Sequence, residues 1–202
     1  MTAATIPNNT PVDPQRRTWL LATGAAGGVA AVATAVPFIS SLAPSERAKA
    51  MGAPMEVDLA DIPPGGLKTV EWRGKPVWIQ RRTPEMIAAL DGQDAALADP
   101  ESRRDDLPEA LRNKGRSARP DLFVAIGICT HLGCSPTAVA AGSANPSVGD
   151  GWHGGFFCPC HGSTFDLAGR VFRNKPAPTN LEIPPHRFVG DSRLIVGESE
   201  EA

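Results

Sequence analysis

Cys129-Thr130-His131-Leu132-Gly133-Cys134 and Cys158-Pro159-Cys160-His161-Gly162-Ser163 hold all four cysteines and two of the four histidines in a chain of 202 residues. One box reads Cys-x-His and the other Cys-x-x-His, and each keeps one further cysteine. Together they offer two thiolates and two imidazoles, with two sulfurs left over that can pair with each other. Such clustering needs a chemical cause. A tetrahedral Cys₂His₂ zinc site uses the same ligand types but leaves the extra cysteines and the near-symmetry of the boxes unexplained. A scaffold of two disulfides leaves both histidines without a role.

The two boxes, with Thr-His-Leu-Gly in one and Pro-Cys-His-Gly-Ser in the other, resemble those of the Rieske proteins of quinol–cytochrome c reductases, the cytochrome bc1 complexes. The resemblance implies one [2Fe–2S] cluster of Rieske type, with Cys129 and Cys158 on one iron and His131 and His161 on the other. It also implies a Cys134–Cys160 disulfide joining the loops, and cluster surroundings that include Leu132, Gly133, Ser163, Phe165 and Pro176. Lys175-Pro176-Ala177-Pro178 resembles the family's Gly-Pro-Ala-Pro loop that covers the cluster, with lysine in place of glycine. At Phe165 many members carry a tyrosine whose hydroxyl bonds a ligand sulfur, whereas this chain has no tyrosine anywhere. Ser163 is retained, and by resemblance its hydroxyl donates to a bridging sulfide. His153 and His186 match no ligand position and are expected on the surface or in loops.

The function implied is electron transfer within a quinol–cytochrome c oxidoreductase, an enzyme in which this chain is one subunit and is not active alone. Neutral imidazoles leave the cluster less negative than four thiolates do, so it accepts an electron more readily. By resemblance, His161 meets the ubiquinol hydroxyl at cytochrome b and takes a proton with the electron, which then passes to cytochrome c1 in a dimeric complex. Three other readings use the same residues. A Rieske ferredoxin or ring-hydroxylating dioxygenase domain uses the same four ligands but usually lacks the disulfide pair and an export anchor. An exported small subunit of an arsenite-oxidase-like enzyme shares the boxes and the anchor, and a membrane-anchored zinc protein shares the ligand types.

Working outward, the net charge is −2 and the 20 lysines and arginines form no stripe, so no nucleic acid is expected as a partner. Glycine and proline number 20 each, which suits a loop-rich β domain better than a helical bundle. The expected fold class is a single N-terminal transmembrane helix followed by a mainly-β head of antiparallel sheets, the Rieske fold, with a small helical insert.

Residues 1–17 read as a polar tail ending in Arg16-Arg17, the pair of a twin-arginine export signal. No charge occurs from Thr18 to Ser45, and residues 18–42 are long enough to cross a bilayer as an uncleaved anchor. The export signal places the chain in a bacterial inner membrane with its head in the periplasm. Residues 43–54 read as a flexible neck, coil or marginal helix, about which the head swings in the resembled family. Residues 55–202 form the head. Strands are expected at Met55–Leu59, Leu67–Trp72, Pro76–Gln80, Leu122–Ile128, Gly155–Phe157, Arg170–Phe172, Leu181–Ile183, Arg187–Val189 and Arg193–Val196. The insert, about 83–119, is expected to be helical surface structure without chemistry, the cluster-binding part to span about 121–180, and Ser135–Gly154 to be loop.

Overall fold

The first element follows from the charge-free run. In the computed structural model, which describes residues 13–149 and 151–199, helix α1 spans Pro14–Ser41. Asp13 caps it by accepting the Gln15 amide at 2.9 Å, and Pro14 stands in the first turn, where a missing N–H costs nothing. Arg16 and Arg17 therefore lie within the helix, and the rest of the expected tail, residues 1–12, lies outside the described residues. The 28 residues span about 42 Å at 1.5 Å per residue. That is long and apolar enough to cross a membrane. Its polar side chains are satisfied from within: Thr23 donates to Trp19 O at 2.8 Å and Thr34 to Ala30 O at 2.6 Å. A helix facing lipid requires this, because hydrocarbon offers no partner.

The chain divides into two compact units, one ending at Lys49 and the other beginning at Ala50. Within the expected neck lies a short helix, α2 (Glu46–Met51), with a Glu46–Lys49 ion pair at 2.7 Å.

Among the described residues the head contains three antiparallel three-stranded sheets. Strands β1 (Met55–Asp58), β8 (His186–Val189) and β9 (Arg193–Val196) form one, in the order β1-β9-β8. The second is β2 (Leu67–Trp72), β3 (Lys75–Arg81) and β4 (Leu122–Ile126), with Val77 opposite Ile126 and Ile79 opposite Val124. The third is β5 (Thr137–Val139), β6 (Gly155–Phe157) and β7 (Thr164–Phe165).

Alternation along β3 and β4 explains why both read as continuous apolar runs. Val77, Ile79, Val124 and Ile126 pack into one core with Val57, Leu59, Trp72, Leu194 and Val196. Trp78, Phe123 and Ala125, on the opposite face, pack into a second core with Phe156, Phe165, Cys129 and Cys158. The middle sheet thus has apolar partners on both sides, and β4 leads straight into the first box.

Four expectations change. The stretch Ser135–Gly154 is not all loop, since Thr137–Val139 pairs with Gly155–Phe157 as β5. Three-residue strands lie below what a periodic pattern can reveal. Arg170–Phe172 and Leu181–Ile183 are not strands: only isolated bridges form there, Phe165 with Val171 and Leu97 with Phe172. The Leu181 amide instead donates to Gly169 O at 2.8 Å. Helix in the insert amounts to α3 (Pro84–Ala88) and two 3₁₀ turns at Asp94–Ala96 and Glu109–Leu111. His186 is a buried residue of β8 and not a surface histidine, whereas His153 is exposed.

Candidate metal centre

Each box folds into a six-residue loop closed by the same two backbone bonds. The Cys129 amide donates to Cys134 O at 2.7 Å and the Gly133 amide to Cys129 O at 3.1 Å. In the second box the Cys158 amide donates to Ser163 O at 2.8 Å and the Gly162 amide to Cys158 O at 3.0 Å. Gly133 and Gly162 stand at the same place in the frame with φ of 83° and 78°, a left-handed backbone that side chains disfavour. A Cβ added to either would meet nothing within 4 Å, so glycine is needed there for its backbone and not for space. The shared Cys-x₃-Gly spacing was the signal in the sequence for this twin frame, and it makes Gly162 as important as Gly133.

The two loops meet. Cys134 and Cys160 form a disulfide across 26 residues of chain. Cys129 and Cys158 stay free, each 2% exposed, and lie side by side in the second core. Burial pushes the Cys129 thiol up, and hydrogen bonds from the His131 backbone and the Ser163 hydroxyl act in the opposite direction. His131 and His161 stand edge to face with ring centroids 4.8 Å apart. His131 is half-buried, and its Nδ1 is shut away from solvent without a hydrogen-bond partner among the described residues. His161 is exposed, as is Leu132, which follows His131 in the chain, at 72%.

These observations fit a metal group. A buried imidazole nitrogen without a partner costs about 1–3 kcal/mol, an expense removed if a cation takes its lone pair. Two adjacent buried thiols want the same thing, because a cation stabilises the thiolates that burial alone disfavours. The donors are sorted by type, with thiols paired on the inner side and imidazoles paired toward the surface.

A third loop closes over the pair. Pro176 is exposed, while Ala177 is buried and its amide donates to Ser163 Oγ at 3.0 Å. Thr130 donates its hydroxyl to Thr179 O at 2.7 Å, tying the first box to this loop. Phe165 is fully buried in the core behind the thiols and pairs with Phe156 across β6 and β7. Sequence reasoning quoted Thr130 and Ala177 only as members of their motifs, with no role of their own, and did not single out Asn180; the bonds they make reach groups distant in the chain, which no local pattern shows.

Comparison with known proteins follows the same lines. Residues 109–185 match the family model described as the Rieske [2Fe-2S] domain, and residues 7–45 match the one described as the ubiquitinol-cytochrome C reductase Fe-S subunit TAT signal. The chain is 51% identical to the ubiquinol-cytochrome c reductase iron-sulfur subunit of Allochromatium vinosum over 91% of this chain and 88% of that one. It is 44% identical to the subunit of that name from Bradyrhizobium diazoefficiens, over 91% of this chain and 95% of the other. A solved chain of a hyperthermophilic respiratory complex III aligns over 88% of this chain and 98% of its own, with 29% identity and a TM-score of 0.44.

Proposed function

This chain belongs to the Rieske iron–sulfur subunits of ubiquinol–cytochrome c reductase, and we propose from that premise that Cys129, His131, Cys158 and His161 ligate its single [2Fe–2S] cluster. The single observation that carries the assignment is the pair of twin loops that brings two buried thiols together and sets two imidazoles edge to face. Membership in the family sets aside the zinc and arsenite-oxidase-like readings. When bound, the cluster supplies a one-electron acceptor made less negative by its two neutral ligands.

The chain's own residues do the remaining work. Cys129 and Cys158 belong to the second core, where burial excludes water from the sulfurs. His131 Nδ1 points inward and is shielded, which orients that ring as a ligand. His161 is at the surface, placing one face of its imidazole where a quinol hydroxyl can reach it and give up a proton. Leu132 and Leu67 are the large apolar side chains left exposed on the described part of the head, and Leu132 stands at the site itself. An exposed apolar side chain next to His131 in the chain suits docking at the quinol pocket of cytochrome b. The electron then goes to cytochrome c1, within a dimeric complex.

The N-terminal helix anchors the chain in a membrane, and α1 is the element long enough to do so. The twin-arginine match implies export of a folded head through the bacterial inner membrane into the periplasm. Replacing Arg16→Lys together with Arg17→Lys is expected to leave the folded head on the cytoplasmic side, protected from protease added to intact spheroplasts. Efficient export of that variant would point to a route for unfolded chains. The activity is tested in membranes from a strain lacking this subunit. Ubiquinol-dependent reduction of cytochrome c should return with the parent chain and not with Cys158→Ser, at equal haem content; equal turnover with both would overturn the assignment.

A further inference from the structure

The insert is part of the site's foundation. Its segment 99–116 runs beneath the loop that closes over the two boxes, and the joint is the side chain of Asn180, which is 2% exposed. Asn180 Oδ1 accepts the Val171 amide at 2.9 Å. Its Nδ2 is surrounded by three insert acceptors: Asp99 O at 3.1 Å, Ser102 Oγ at 3.0 Å and Asp105 Oδ2 at 3.3 Å.

The same carboxylate oxygen of Asp105 holds Arg116 Nη2 at 2.7 Å. Arg116 is 1% exposed, and its guanidinium donates onward to Leu181 O at 2.8 Å and Ala168 O at 3.1 Å. Arg104 reaches the loop directly, donating to Pro178 O at 3.2 Å. Among the described residues, Arg73, Ser102, Arg116 and Asn174 are the non-glycine positions with left-handed backbone, and two of these four, Ser102 and Arg116, belong to this assembly. Such backbone is strained for a residue with a side chain and persists where the surroundings over-determine it.

The assembly ends at one hydroxyl. The Ala177 amide donates to Ser163 Oγ and so occupies an acceptor position of that oxygen. With the oxygen held, the hydroxyl proton is left to point toward the thiol side, where Cys129 lies. We propose that the 99–116 segment, acting through Asn180, is a positioning device that fixes the Ser163 hydroxyl toward the proposed cluster ligands and thereby raises the reduction potential. This rests on the ligand reading given above. The physical reason is that a hydrogen bond donated to a sulfur favours the more negative, reduced state, and a hydroxyl free to rotate donates only part of the time.

The test uses the full-length protein in detergent, with the potential read by EPR-monitored redox titration. Asn180→Ala is expected to lower the equilibrium constant for reduction about three- to tenfold, which at about 59 mV per decade is a fall of about 30–60 mV. In a Ser163→Ala background the same substitution is expected to move the potential by less than a third of that. A merely structural role would lower the melting temperature and the cluster content and leave the potential of the surviving clusters at the parent value. That outcome, or a full-sized shift persisting without the Ser163 hydroxyl, overturns the proposal.

Should Asn180→Ala not fold, Arg104→Ala combined with Ser102→Ala loosens the same loop by an exposed bond and a small group. The pair is expected to lower the potential about twofold in equilibrium constant, and an unchanged potential there overturns the proposal too. A parent protein with no reducible cluster signal contradicts the ligand reading instead, so the two failures are distinct.

Discussion

The two boxes share one backbone frame and diverge in what they attach to it. Both close with an amide bonded five residues ahead and a left-handed glycine in fifth place. In the first box the last position, Cys134, is taken by the disulfide, His131 turns a buried nitrogen inward, and Leu132 faces solvent. In the second, the disulfide leaves from the third position, His161 is exposed, and the last position is the fully buried Ser163 beside Cys129. The comparison separates holding from tuning: the shared frame places four donors, and the unshared positions decide which donor meets solvent and which sulfur receives a hydrogen bond.

The largest expected effect falls on what the boxes share. Cys129→Ser and Cys158→Ser should each reduce bound iron to below about a tenth of the parent value, since both boxes must supply a thiolate. Full iron content in either variant, measured on the purified chain, would break the equivalence of the two loops. Next comes the link between them. The disulfide closes a span of 26 residues, and cross-links of that length stabilise by about 3 kcal/mol on chain-entropy grounds. Cys134→Ser with Cys160→Ser should therefore lose its cluster several-fold faster under air, followed by the decay of visible absorbance. Unchanged decay would mean that the frames hold the ligands without being joined.

The frame itself is probed by Gly133→Ala and Gly162→Ala. Each places a side chain on left-handed backbone with open space around it, so each should cost about 1–2 kcal/mol, and the two costs should match. Thermal unfolding of the two variants checks this, and a penalty confined to one box would show that the likeness of the loops is only nominal.

How far the sequence discloses all this depends on where the information is stored. The boxes, the anchor run and the strands Leu67–Trp72 and Arg193–Val196 are written in side-chain identity and period, which a sequence displays directly, and Gly155–Phe157 is legible because it leads into the second box. Strands β5 and β7 have three and two residues, too few to show a period. The insert looked like solvated surface because Arg104, Asp105 and Arg116 are charged. In fact Arg116 is buried by bonds to an aspartate and to carbonyls 52 to 65 residues away, a pairing that no local pattern encodes. His186 misled for the same reason in reverse, since its burial comes from strand pairing with Val196.

The smallest expected effect sharpens the tuning half of the comparison. Phe165 is buried behind the thiols and donates no hydrogen bond. A hydroxyl there would be worth roughly 0.5–1.5 kcal/mol, so Phe165→Tyr should raise the potential by roughly 20–65 mV. Ser163→Ala should lower it. No change for Phe165→Tyr at normal cluster content, read by voltammetry, would remove hydrogen bonding from the account of this position.

The central claim is that one iron sits on Cys129 and Cys158 and the other on His131 and His161, and nitrogen-15 labelling of histidine tests it most directly. In the dithionite-reduced full-length protein, pulsed EPR should resolve couplings to two histidine nitrogens of comparable size. Reduced protein that shows iron–sulfur EPR without any histidine nitrogen coupling, or purified protein that holds zinc and no iron, would contradict it.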